Sequence, residues 1–291
     1  MQSPVSRVAA IHDLSGFGRA SLTAIIPIIS SMGIQVCPVP TAIFSTHTGG
    51  FENYTFMDFT DQLEGYIEHW RSLKIKFDCI YTGFLGSPRQ VDMISRCIKT
   101  FNNCNPLIVI DPVVGDNGEL YDTMNMEMVE KMRYFIKLAD IITPNLTEAA
   151  FLLDEPYPDT FEEKDMKEWL CRLAHMGPEI VIITSVPDPR AKKKTYSVAY
   201  DSDDGRFWKV ACDYIPAHFP GTGDAFTSVI VGSMLQGDSL PIALDRAVQF
   251  VTLAIRASYG YKYPEREGIL LERVLDNLKG PVTAGSYEIL E

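Results

Sequence analysis

The chain has 291 residues, 46% of them hydrophobic, which is enough for one large α/β domain or two small ones. Its formal net charge of −12 argues against nucleic acid as a partner, because a phosphate polymer would be repelled. A small phosphorylated ligand, which needs only local donors or a metal ion, is still compatible with that charge. We find no apolar run of eighteen residues and no signal-peptide pattern, so we expect a cytoplasmic protein with no membrane partner.

Short apolar runs alternate with longer amphipathic stretches along most of the chain. Buried strands are predicted at 8–12, 34–40, 79–83, 107–111, 140–144 and 180–184. Amphipathic helices are predicted between them, at 61–73, 89–101 and 164–176. This alternation indicates an α/β protein in which a central, mainly parallel sheet is covered by helices on both faces.

The alternation changes near residue 195. Two alternating runs flank the turn sequence DSDDG within 195–214, which predicts an antiparallel hairpin with its strands near 195–212. Only helical patterns follow, at 223–236, 240–258 and 268–279. Because no linker-like change of composition divides the chain, we expect a single domain over 1–291.

Polar and glycine-rich segments follow the predicted strands. They read HDLSG, STHTGG, TGFLGS, DPVVGD, TPNLTE and TSVPD. In open α/β sheets, ligands bind in the crevice at the carboxyl ends of the strands. The collection of acids, hydroxyls and glycines at these ends therefore predicts a ligand cleft along one edge of the sheet.

The first glycine-rich segment, DLSGFGRAS at 13–21, approximates a dinucleotide-binding fingerprint but has Ser21 in place of the third glycine. The second strand offers no acid for a ribose, so an ordinary strand-to-helix turn explains the glycines better. Asp13 and Ser15 could still face a ligand there. By residue type, His12 and His47 could be ligands or bases. A P-loop is excluded because the chain has no Gly-Lys dipeptide, and the protein-kinase motifs H-R-D and D-F-G are also absent.

The segment IVIDPVVGDNG at 108–118 places Asp111 at the end of a strand and Asp116 in the loop that follows. Two carboxylates near one strand end suit Mg²⁺, which prefers oxygen ligands and water. Turn capping, which Asp and Asn perform routinely, explains the same residues equally well.

In TPNLTEAAFLL at 143–153, Thr143 or Asn145 can cap a helix that begins near Leu146, and Glu148 falls in its first turn. Capping alone accounts for these residue types. The same N-x-x-E spacing also places an amide and a carboxylate on one edge of the expected cleft.

The segment GTGDAF at 221–226 stands at the entrance of a predicted helix. Gly221 and Gly223 can expose backbone N–H groups to an anion. Asp224 beside that anion is unfavourable unless it serves as the base for an attacking hydroxyl, and donors plus a base are what phosphoryl transfer requires. The alternative is an N-terminal cap by Thr222 or Asp224.

Taken in order along the chain, these segments resemble the ribokinase-like superfamily of small-molecule kinases, and within it the pyridoxal/pyridoxamine (vitamin B6) kinases. The resemblance covers nearly the whole sequence. The segments that carry it most specifically are PTAIFSTHTGG, YTGFLGS, DPVVGD, TPNLTEA and GTGDAF. It implies a three-layer α/β/α fold, a homodimer, and ATP-dependent phosphorylation of a B6 vitamer with Mg²⁺ and, in some members, a monovalent cation.

The resemblance also implies roles for individual residues. Asp224 matches the catalytic base, and Gly221, Thr222 and Gly223 match the anion hole for the transferred phosphoryl group. Near Mg²⁺ the matching residues are Asp111, Asp116 and Glu148. On the nucleotide side they are Asp111, Asn145, Glu148, Thr184 and Ser185. In the substrate pocket they are Phe44 and Thr48.

Two residues depart from the family pattern, and both belong to the expected substrate pocket. Asp13 stands where relatives often have serine, and Phe84 stands where they often have tyrosine. An aspartate at this position could bind a protonated ring nitrogen or an amine. An acid after the first strand also resembles the pattern of the hydroxymethylpyrimidine kinases of thiamine synthesis. Membership of that group is the second hypothesis. A non-catalytic vitamer or nucleotide sensor and, more remotely, a dehydrogenase are the further alternatives.

Overall fold

The computed structural model describes residues 3–101, 105–158, 160–188, 194–280 and 285–290. Ten of the strands in these ranges form one sheet, and a two-stranded ribbon lies apart from it. In chain order the strands are β1 (Arg7–Ser15), β2 (Gln35–Phe44), β3 (Phe56–Asp58), β4 (Cys79–Thr82), β5 (Leu107–Ile110), β6 (Gly115–Asp116), β7 (Glu119–Leu120), β8 (Ile141–Ile142), β9 (Ile180–Pro187), β10 (Lys194–Asp201), β11 (Arg206–Asp213) and β12 (Tyr287–Ile289).

The large sheet has the order β12-β11-β10-β9-β8-β5-β4-β1-β2-β3. Its central strands, from β9 to β2, pair in parallel, and the strands outside them pair antiparallel. The chain leaves β1 towards β2 and then returns to β4 on the other side of β1. This reversal opens a crevice at the carboxyl ends of β1 and β4, which is where ligands bind in such sheets.

Helices cover both faces of the sheet. They are α1 (Leu22–Ser31), α2 (Thr60–Ser72), α3 (Pro88–Phe101), α4 (Met126–Phe135), α5 (Leu146–Leu153), α6 (Glu163–Ala174), α7 (Thr222–Gln236) and α8 (Leu240–Tyr259). One buried apolar cluster packs α2 to α6 against one face, and a second packs α1, α7 and α8 against the other. The expected three-layer α/β/α architecture is therefore confirmed.

Central strands are short, continuous apolar runs because both of their faces are buried. Cys79, Ile80 and Tyr81 of β4 have no exposed surface, and neighbouring side chains alternate between the two clusters. The hairpin predicted near 195–212 is also confirmed, since β10 and β11 pair antiparallel from Lys194↔Asp213 to Asp201↔Arg206.

The helix predicted at 268–279 is wrong. This segment forms two short 3₁₀ turns, Leu271–Arg273 and Leu275–Lys279, separated at Val274. Leu271, Val274 and Leu278 are each 2% exposed. These residues are three and four positions apart, as on one side of an α-helix, but two short 3₁₀ turns bury the same residues, so the periodicity could not distinguish the two structures.

The sequence patterns also missed β12, which follows that segment and pairs with β11 at the edge of the sheet. Only helical patterns had been expected there. In the part of the chain that the structure describes, no helix combines the length and apolar character needed to cross a membrane.

Candidate active site

A cleft of about 270 Å³ lies at the carboxyl ends of the parallel strands, between the loops that follow them. Most residues that the sequence singled out for the site line it: Asp13, Phe44, Thr48, Phe84, Asp111, Asp116, Asn145, Glu148, Thr184, Ser185, Gly221, Thr222, Gly223 and Asp224. Ser15, which was expected to face a ligand beside Asp13, is fully buried and does not line the cleft. No Lys or Arg lines this cleft among the described residues.

A second, shallower depression of about 450 Å³ lies near the opposite ends of α1 and α7. Arg246, a partly buried cation there, already donates to Gln236 Oε1 at 2.7 Å and to the Leu278 carbonyl at 2.7 Å. None of the sequence motifs converges there. The cleft at the strand ends is therefore the candidate active site.

The N-terminus of α7 forms one wall of the cleft. Gly221 is its N-cap residue with φ 83°, and no side chain caps the helix. A Cβ at Gly221 would overlap the carbonyl oxygen of Arg19, so both the backbone conformation and the space require glycine. Because the first-turn N–H groups of a helix have no intrahelical partners, these groups of α7 remain free to bind an anion.

Asp224 does not cap its own helix, which removes the capping alternative for this residue. Its Oδ2 instead accepts the backbone N–H of Ser21 at 2.8 Å, across the cleft entrance. Burial raises the pKa of Asp224 to about 7, and the nearby charge of Asp13 acts in the same direction, whereas the Ser21 amide opposes it. A base with a pKa near neutrality suits general base catalysis.

Asp13 is 5% exposed and lies at the end of β1. Its Oδ1 accepts a hydrogen bond from the Ser21 hydroxyl, and its Oδ2 accepts one from the Ser15 hydroxyl at 3.2 Å. Burial raises the pKa of Asp13 in spite of these two donors. No ion pair among the described residues involves Asp13, so a cationic group of a ligand would meet an uncompensated carboxylate.

The N-terminus of α5 forms the opposite wall, and here the capping interpretation is right. Asn145 Oδ1 accepts the Glu148 N–H at 2.9 Å, and Glu148 Oε2 accepts the Asn145 N–H at 2.8 Å. The other Glu148 oxygen accepts the Val114 N–H at 3.3 Å, while the Asn145 side-chain amide donates to the Gly115 carbonyl at 2.9 Å. These bonds fix the loop that carries Asp116.

Asp111 follows β5 and is 7% exposed. Burial and the charge of Asp224 raise its pKa well above the usual range, and a hydrogen bond with Thr143 opposes them. Burial and the charge of Asp111 likewise raise the pKa of Glu148 well above its usual range. Several carboxylates thus share one poorly solvated site, and a bound cation would relieve their repulsion.

The described residues hold no cluster of three metal-ligating side chains. A dedicated protein cage for a metal is therefore not formed among them. Mg²⁺ commonly binds through one or two carboxylates together with phosphates and water, and the donors at Asp111, Asp116 and Glu148 fit that mode.

Thr184 and Ser185 belong to β9, beside the α5 wall. Thr184 forms a parallel bridge with Asn145, and Ser185 has a φ of 58°. At the other end of the cleft, the rings of Phe44 and Phe84 lie edge to face with their centroids 6.0 Å apart. Thr48 is exposed on the loop beyond Phe44.

Sequence reasoning assigned no role to Ser21 or Tyr121, which both line the cleft, whereas His47, a candidate ligand or base by residue type, lines it as well. His47 Nδ1 accepts the Gly49 N–H at 3.1 Å, so its Nε2–H donates to the Arg266 carbonyl at 2.7 Å. This pair of bonds ties the Thr48 loop to the segment near Arg266. Ser21 could have been found from the sequence, because it replaces the third glycine of the pattern at 13–21.

His12 looked like a candidate ligand or base but does not line the cleft. It is fully buried, and burial lowers its pKa to about 3, so the ring is neutral. Neither of its ring nitrogens has a hydrogen-bond partner among the described residues. Its ring lies against that of Tyr81, with centroids 4.3 Å apart.

The chain is similar to known kinases over most of its length. The family model described as phosphomethylpyrimidine kinase matches residues 16–267. The pyridoxal kinase of Arabidopsis thaliana is 29% identical, over 96% of this chain and 85% of that protein.

Two solved structures are similar over almost their whole length. One, from Bacteroides thetaiotaomicron, is provisionally described as a phosphomethylpyrimidine kinase and was crystallised with pyridoxal. It is 56% identical with a TM-score of 0.95, covering 98% of this chain and 99% of that one. Pyridoxal kinase from Lactobacillus plantarum is 29% identical with a TM-score of 0.85, covering 95% and 97%. The chain therefore belongs to the phosphomethylpyrimidine kinase family, within the ribokinase-like kinases that include the pyridoxal kinases, and it is a phosphotransferase.

Proposed function

We propose that the protein transfers the γ-phosphoryl group of MgATP to the hydroxymethyl group of a B6 vitamer, pyridoxal, pyridoxine or pyridoxamine, to give the 5′-phosphate. The observation that carries this proposal is the wall formed by α7. It presents uncapped N–H groups beside Asp224, a carboxylate with a pKa near neutrality that caps nothing. A donor set and a base in one place match the two needs of phosphoryl transfer to an alcohol.

In this mechanism Asp224 accepts the hydroxyl proton as the alcohol oxygen attacks the γ-phosphorus. The N–H groups of Gly221, Thr222 and Gly223 donate to the phosphoryl oxygens as negative charge develops on them. Asn145, Thr184 and Ser185 hold the nucleotide along the opposite wall. Asp111, Asp116 and Glu148 would hold Mg²⁺, which when bound neutralises phosphate charge.

The acceptor ring is assigned to the aromatic end of the cleft. Phe44 and Phe84 provide apolar surface there, and Thr48 provides a hydroxyl. Asp13 supplies a buried carboxylate that has no cationic partner among the described residues. Such a pocket fits a flat heteroaromatic ring with a protonated nitrogen or an amine substituent.

Hydroxymethylpyrimidine is the second candidate acceptor, favoured by the description of the matching family model and by the acid after β1. A non-catalytic sensor on the same fold is less well supported, because binding alone would not require a carboxylate beside the anion site. The three hypotheses differ in what they predict for purified protein.

A coupled assay of ATP consumption separates them. Pyridoxal, pyridoxine, pyridoxamine and hydroxymethylpyrimidine are offered in turn with MgATP, and product is identified by mass spectrometry. The proposal expects the largest kcat/KM with one of the three B6 vitamers. The largest value with hydroxymethylpyrimidine supports the second candidate, and binding of a vitamer without phosphate transfer supports a sensor.

Asp13→Ser tests the assignment of the ring-binding carboxylate. Because Asp13 would attract the amine of pyridoxamine, kcat/KM in the variant should fall several-fold more for pyridoxamine than for pyridoxal. A difference of this size corresponds to the loss of about one hydrogen bond to a charged group. The measurement is the ratio of kcat/KM for the two acceptors in both proteins. An unchanged ratio removes this role of Asp13.

A further inference from the structure

Ser21 occupies an unusual backbone conformation at the mouth of the cleft. Its φ is 51° and its ψ is −135°, although it is neither glycine nor asparagine. A non-glycine residue in such a region costs on the order of 1–3 kcal/mol unless the surroundings hold it there. Glycine would adopt this conformation without strain. The presence of serine therefore indicates that its side chain has a role of its own.

The hydroxyl of Ser21 is not used in the way its position suggests. Ser21 is the N-cap residue of α1, where a serine side chain normally accepts an N–H of the first turn. No such capping bond is present. The hydroxyl donates instead to Asp13 Oδ1, while the backbone N–H of the same residue donates to Asp224 Oδ2 at 2.8 Å.

One residue thus joins two carboxylates that repel each other. Ser21 is 9% exposed and Asp13 is 5% exposed, so water competes little for these bonds. An isolated bridge between Ser21 and Leu14 holds the Ser21 backbone next to the end of β1. The link therefore runs from the ring-binding end of the cleft to the base through a short, buried path.

We propose that Ser21 is a positioning residue that sets the separation between the ring-binding carboxylate Asp13 and the base Asp224, so that an acceptor held at Asp13 presents its hydroxyl to Asp224. This inference rests on the proposed function. Ser21 touches neither phosphate nor nucleotide in this role, and its effect is carried through Asp13.

The test is a double-mutant cycle with Ser21→Gly and Asp13→Ser. Glycine keeps the N–H for Asp224 and suits the positive φ, so only the hydroxyl link is lost. We expect kcat with pyridoxamine to fall about tenfold in Ser21→Gly, as for one lost hydrogen bond to a charged group, with the KM for ATP unchanged. In the Asp13→Ser background the same glycine substitution should change kcat less than twofold, because the two residues act as one unit.

Ser15→Ala is the matched control. It removes the other hydroxyl from Asp13 without touching Asp224, so its effect should fall on the KM for the acceptor and not on kcat. Ser21→Ala should reproduce the kinetics of Ser21→Gly. The melting temperature of Ser21→Gly should not fall, since glycine relieves the strained φ.

Two results overturn the inference. One is a Ser21→Gly effect of the same size with and without Asp13. The other is a Ser21→Gly variant whose kinetics match those of Ser15→Ala. If the wild type phosphorylates no acceptor, the proposed function fails. The same cycle, run on pyridoxamine affinity by calorimetry, then decides the link: additive losses of affinity contradict it and non-additive losses support it.

Discussion

Two helices enter the cleft from opposite sides, and each has an acid at the third residue of its first turn. In α5 this residue is Glu148, and in α7 it is Asp224. Glu148 closes a capping box with Asn145, so both groups serve their own helix. Asp224 reaches away to the Ser21 amide, and the amides of α7 are left uncapped.

The difference comes from the residue that precedes each helix. Asn145 has a side chain that can accept a first-turn N–H, whereas Gly221 has none. An acid at the third position gains the same helix-dipole stabilisation in both helices. The choice of N-cap residue therefore decides which helix end closes on itself and which one stays open to an anion and leaves its acid available as a base.

Replacing the acid of the open end should have the largest effect. Asp224→Asn keeps the shape and an acceptor for the Ser21 N–H but removes the base, so kcat should fall about 10²–10⁴-fold. ATP affinity should change little. Steady-state kinetics with the preferred acceptor measure this, and Asp154→Asn, at an exposed residue that terminates α5 outside the cleft, is the matched control. A normally active Asp224→Asn variant would show that the base is another group.

The open helix end itself can be blocked with one methyl group. A Cβ at Gly223 would meet no atom within 4 Å, so Gly223→Ala should fold normally but place a methyl group at the anion site. We expect kcat to fall about 10²-fold, comparable to the loss of one oxyanion donor. Gly260→Ala, also in open space but at the end of α8, should leave kcat unchanged.

Gly221→Ala should differ from Gly223→Ala in its effect on folding, because its Cβ meets the Arg19 carbonyl and its φ is positive. This variant should lose thermal stability as well as activity. If Gly223→Ala retains full activity, the α7 amides do not bind the transferred phosphoryl group.

The dependence of activity on pH tests the role of Asp224 as the base. Asp224 must be ionised to accept a proton, and its pKa is raised to about 7. In the free enzyme kcat/KM should therefore fall about tenfold for each pH unit below 7 and level off above it. The profile is measured with acceptor well below KM. An activity that stays constant between pH 5.5 and 7.5 would contradict the assignment, as would an Asp224→Asn variant that kept the same inflection.

The closed helix end should show the smallest effect, and mainly on stability. Asn145→Ala removes the cap of α5 and should cost about 1 kcal/mol of unfolding free energy. Asn125→Ala removes a similar cap from α4, where Asn125 Oδ1 accepts the Met128 N–H at 3.0 Å, away from the cleft. Denaturant unfolding should give similar losses for both. Only Asn145→Ala should also raise the KM for ATP, and equal ATP kinetics in the two variants would limit Asn145 to a structural role.

Local patterns were sufficient to predict most of the elements. The alternation of apolar runs and amphipathic stretches predicted the central strands and the layers that cover them, because strand and helix periodicities reflect which side chains are buried. They failed at 271–279, where 3₁₀ turns satisfy the same apolar spacing, and at β12, whose three exposed residues are too few to establish an alternating pattern. They indicated His47 only as a possible ligand or base and could not predict its hydrogen bond to the Arg266 carbonyl, which joins segments more than two hundred residues apart.

The sequence by itself determined where polar groups follow strands, and parallel strands bring those ends together at one edge of the sheet. It could not decide what each acid does there. Glu148 and Asp224 have the same residue class at the same helix position, and capping was a fair interpretation of either. Only the tertiary structure separated them, since the role of a carboxylate depends on which donors surround it. For Asp224 the donor is Ser21, about two hundred residues earlier in the chain and brought beside it by packing of α1 and α7 on one face of the sheet.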